Sequence, residues 1–68
     1  SVVNLPAAVD GMEYVIKDFS GAAAANNITV TPNGADTIEG AATLVLSSNY
    51  RGVTLVAKTS IWYLTSIV

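Results

Sequence analysis

The chain has 68 residues, of which 51% are hydrophobic and 12% charged, with a formal net charge of −2 and neither cysteine nor histidine. One small domain, 1–68, fits that length. The three cations, Lys17, Arg51 and Lys58, are scattered, so no basic patch exists for nucleic acid. Polar residues interrupt every apolar stretch well short of the roughly 18 residues that a membrane span needs.

Taken in chain order, Val2–Leu5 reads as extended, with Pro6 ending any ladder there. Met12, Tyr14 and Ile16 alternate with Glu13, Val15 and Lys17, the period-two signature of a strand. Ala22 to Ala25 favours helix by composition, but Gly21 and Asn26-Asn27 bracket a run too short to nucleate one. It is expected to form a loop or one irregular turn. Asn27 to Thr31 alternates again and is closed by Pro32-Asn33-Gly34, a turn signal. A short strand is expected around Thr37-Ile38-Glu39, ending at Gly40, and another over Thr43–Leu46 before the turn Ser47-Ser48-Asn49. Val53–Ala57 and Ile61–Ile67 form the last pair. The fold class is all-β: short antiparallel strands in a small sandwich or intertwined β-prism.

The core is expected to include Ile16, Ile28, Val30, Leu44, Leu46, Val53 and Leu55. The last two strands carry apolar residues on both faces, and a strand of that kind is buried on both sides. A folded monomer of 7.0 kDa hides only roughly 60% of the surface its unfolded chain exposes. The composition therefore predicts a homo-oligomer with a core shared between subunits. The chain begins at Ser1 rather than Met and shows no signal peptide, which reads as a piece of a longer polypeptide.

The common catalytic groups are missing. Without histidine or cysteine there is no usual general base, nucleophile pair or triad. The acids Asp10 with Glu13, and Asp36 with Glu39, could pair as in a glycosidase, but they flank glycines at turns where carboxylates are ordinarily solvated. Asp36-Thr37-Ile38-Glu39 lacks the acidic density of a calcium loop, and no glycine belongs to a phosphate cradle. No catalytic residue, cofactor or metal ligand is expected. The candidates for binding are aromatic: Trp62, Tyr63 and Tyr50, either at a subunit interface or stacked on a sugar ring. Trp62 and Tyr63 necessarily face opposite sides of their strand. Interfacial burial is the expectation for Trp62.

In succession, Val3-Asn4-Leu5-Pro6, Gly11 to Asp18, Ser20-Gly21, Asn26 to Gly34, Thr37-Ile38-Glu39-Gly40 and Ile61-Trp62-Tyr63 resemble a segment found in bacteriophage tail fibres and tailspikes. The resemblance spans nearly the whole chain. Two departures stand out: Glu39 replaces a usual aspartate, and Thr59-Ser60-Ile61 stands where a more polar turn is common. What the resemblance implies is a homotrimeric β-structured module of the virion, often C-terminal in its fibre and involved in host attachment. It would trimerise and cap the fibre; the alternative role is a carbohydrate-binding receptor tip that meets host surface polysaccharide.

Overall fold

The computed structural model describes residues 1–67. It holds seven strands: β1 (Val2–Asn4), β2 (Glu13–Lys17), β3 (Ile28–Thr31), β4 (Thr37–Ile38), β5 (Leu44–Leu46), β6 (Gly52–Lys58) and β7 (Ile61–Ile67). Among the described residues there is no helix. The alanine run is one turn, closed by Asn26 N–H donating to the Ala22 carbonyl at 2.8 Å.

The strands form two sheets, in the orders β1-β3-β5 and β2-β6-β7-β4. From β1 to β6 every connection crosses from one sheet to the other. Only β6 and β7 are joined as a local hairpin, through Thr59 and Ser60, both at positive φ (54° and 61°). Two successive positive φ values make a turn whose twist matches the flanking strands. Neither residue is the glycine or asparagine that adopts this conformation most readily.

The all-β class is as expected, and the antiparallel pairing holds for β2–β6, β3–β5 and β6–β7 but not for every pair. β1 pairs with β3, and β4 with β7, in parallel. Each parallel pair joins segments separated by more than twenty residues, so a hairpin reading cannot reach it.

Between the sheets lies a core of Leu5, Val30, Ile38, Leu46, Val53, Leu55, Ala57 and Trp62, all buried. Ile16, Ile28 and Leu44, expected at its centre, are half-buried and pack against its margin. The inward row of β6 (Val53, Leu55, Ala57) faces across register to Leu64 and Trp62 of β7. Trp62 is fully enclosed, and its ring lies 5.7 Å from that of Tyr14 at 44°. A one-residue slip in pairing at Thr54/Leu55 sets Ile67, which stays half-exposed, opposite Val53.

The chain exposes 3941 Å², close to the about 4,000 Å² that scaling gives for a monomer of this mass. Within residues 1–67 the two sheets enclose eight buried apolar side chains. On the outer face of β7, Tyr63 and Thr65 are exposed in the single chain.

Candidate functional site

Four of the five carboxylates accept backbone hydrogen bonds, Asp10 and Glu39 while still exposed to solvent. Asp10 Oδ1 accepts the Thr59 N–H at 2.7 Å and so holds the β6–β7 turn. Asp36 Oδ2 accepts from Ala8 N–H at 2.8 Å, and Glu39 Oε2 from Leu64 N–H at 3.0 Å. In a chain without disulfides, these charge-assisted bonds staple loops that the small core does not reach. Asp10 and Asp36 each spend an oxygen on a loop amide, and Glu39 spends one on an amide of β7.

Asp18, which neither sequence pair included, is the strongest case. It is buried, one residue beyond β2. Its Oδ1 accepts from the Ser20 hydroxyl at 2.9 Å and from Gly21 N–H at 3.2 Å. Its Oδ2 accepts from Ala23 N–H at 2.9 Å and Tyr50 N–H at 3.1 Å. Burial by itself pushes this carboxyl up. The Ala23 and Tyr50 N–H groups, the Ser20 hydroxyl and the Ala22 N–H together outweigh it, and the pKa falls to about 2.

The bonds of Asp18 join two loops into one clasp, the segment after β2 and the turn before β6. Asn49 Oδ1 accepts from Ala24 N–H at 2.9 Å, and the Lys17 ammonium donates to the Tyr50 carbonyl. Tyr50 holds φ at 62°, and its phenol end lies directly on Gly21. A Cβ on Gly21 would overlap the Tyr50 phenol and push that ring outward, and Gly21 itself sits at φ +74°, so the backbone favours glycine there.

The three candidate aromatics separate. Trp62, at 0% exposure within its own chain, offers no surface to a subunit or a sugar. Tyr63 takes the outward side of β7, and Trp62 lies at the centre of the chain's own core. Tyr63 is 42% exposed on the outer face of β7, and Tyr50 is 59% exposed on the clasp. The structure does not bring these two together. Sequence reasoning passed over Phe19, which is 85% exposed beside Asp18. A phenylalanine between two polar residues at a strand end was the available signal.

A cleft of about 140 Å³ runs between Leu44, Leu46, Ser48, Arg51, Val53 and Ile67. Pockets for drug-sized ligands run about 300–1,000 Å³, so this one suits little beyond a few waters. Among the described residues, no three His, Cys, Asp or Glu side chains converge as metal ligands, and no helix is long and apolar enough to cross a membrane. No protein-family model, curated protein or solved structure matches the chain.

Proposed function

We propose that this domain is a structural module of a bacteriophage tail fibre or tailspike, a homotrimer that holds fibre chains together in the virion's host-attachment device. One observation carries the reading. The outer face of the β2-β6-β7 sheet has no layer over it, yet its register sets Val56 between Glu13 and Tyr63, with Val15 in the next row. Val15 is 67% exposed. The Val56–Tyr63 pair with Val15 one row away makes a small apolar patch on a solvent-facing sheet, framed by Glu13 and Thr54, and supports association through this face. The resemblance to fibre and tailspike segments supplies the parent protein and the number three. The work assigned to the site is contact between chains, with no bond-breaking step and no cofactor.

Light scattering of the isolated domain tests it. The expected mass is three times the 7.0 kDa of one chain. A dispersed 7.0 kDa species at concentrations of hundreds of micromolar would contradict the proposal.

A further inference from the structure

Asp10 stands directly before Gly11 and Asn33 directly before Gly34, and the fold treats the two pairs in opposite ways. The first pair is tied down: Gly11 N–H donates to the Ala57 carbonyl at 3.0 Å, and Asp10 Oδ1 accepts the Thr59 N–H at 2.7 Å. The second stands open in the turn between β3 and β4, with Asn33 and Gly34 both exposed. Among the described residues, neither the Asn33 side-chain amide nor the Gly34 N–H has a protein hydrogen-bond partner. We propose that Asn33 is a self-modification site, where the chain converts its own side-chain amide into aspartate and isoaspartate.

The reaction needs only water. The Gly34 backbone nitrogen attacks Asn33 Cγ and closes a cyclic imide, while the side-chain nitrogen takes up the proton and leaves as ammonia. Water then opens the ring at either carbonyl. One opening gives aspartate, and the other gives isoaspartate, in which the main chain runs through Cγ. A side chain on residue 34 would crowd the attack, and glycine has none. Gly34 sits at φ 54°, and nothing lies within 4 Å of where its Cβ would stand. The bond that closes the turn, from Asp36 N–H to the Asn33 carbonyl at 2.9 Å, uses neither reacting atom. The other asparagines lack these conditions. Asn4, Asn26, Asn27 and Asn49 precede Leu5, Asn27, Ile28 and Tyr50, and Asn49 is held further by Ala24 N–H on its side chain and by the Tyr50 N–H spent on Asp18.

The consequence reaches beyond the turn. Isoaspartate turns the residue 33 carbonyl, which accepts the Asp36 N–H, into a free carboxylate. Asp36 in turn holds the Ala8 N–H, so that staple should loosen in the modified chain.

Every residue involved comes from one chain, so the inference stands apart from the trimer reading. Ageing the folded chain in warm, mildly alkaline buffer tests it, with peptide mass spectrometry to place each conversion and an isoaspartate-specific methyltransferase to identify the product. Asn33 should convert at least about tenfold faster than any other asparagine, and Gly34→Ala should slow it by about as much. Unfolding in urea should change the Asn33 rate by less than about threefold but should speed isoaspartate formation at Asp10 by about tenfold or more, because only Asp10 and Gly11 must first be released. Exchange of the Ala8 amide should be faster in the isoaspartyl chain. Conversion of Asn33 no faster than that of Asn49 would overturn the proposal, and so would a tenfold rise at Asn33 on unfolding. The comparison among sites within the native chain holds even where Gly34→Ala fails to fold.

Discussion

The core around Trp62 and the clasp around Asp18 are ordered by opposite means. In the core, eight apolar side chains exclude water, and the indole N–H of Trp62 has no acceptor among the described residues. An unmet buried donor is tolerable there because the gain from burying so large a ring exceeds the cost of one lost hydrogen bond. The clasp inverts this: one carboxylate collects four donors, and the large apolar groups, Phe19 and Tyr50, point to solvent. A chain this small cannot extend its core to its corners. It fixes a corner by hydrogen bonding instead, and that leaves aromatic surface free for contact.

Truncating the core should do the most damage. Trp62→Ala should cost about 3–5 kcal/mol, enough to unfold so small a domain at ordinary temperature. Tyr63→Ser, one residue along on the outer face, should cost only about 0.2–1 kcal/mol, the worth of a cross-strand pair. Chemical denaturation of both variants checks the contrast, and equal losses would erase the distinction between the two faces of β7.

Gly21→Ala should break the clasp while sparing the core. The forced positive φ and the displaced Tyr50 ring should cost about 1–3 kcal/mol, with Trp62 fluorescence unchanged in the surviving native state. A variant as stable as wild type would mean that Tyr50 is not held against residue 21.

Acid should loosen the clasp by a smaller step. The Asp18 pKa lies at about 2 when folded against an ordinary 3.8, so the unfolded chain takes up its proton first as pH falls. The stability it contributes is complete above about pH 4 and is lost as pH approaches 2. Asp18→Asn should be less stable than wild type at neutral pH and should flatten the acid limb of the stability profile. An unchanged acid limb would remove Asp18 from the explanation.

The strands were legible because period-two alternation is local. Ile28–Thr31, Leu44–Leu46 and the β6–β7 pair all lie where alternation and turn residues put them. Alternation says which side chains share a face but not which face another layer covers. That is why Trp62 was assigned to an interface and why Leu5, Ile38 and Ala57 were absent from the expected core. The parallel pairs and the clasp depend on contacts far apart in sequence: Asp18 meets the Tyr50 amide 32 residues away. Donors supplied by backbone leave no residue-type signal, so Asp18 looked like any acid in a turn.

The position of Trp62 separates a core closed within each chain from one completed by partners, and dilution tests it most directly. Trp62 emission and its quenching by iodide should be followed from millimolar concentration down to the nanomolar range, with the mass measured in parallel. A core closed within the chain predicts blue-shifted emission and weak quenching throughout, including any range in which the assembly dissociates. Emission that shifts to the red and becomes quenchable as the mass falls would place Trp62 between subunits and contradict the account.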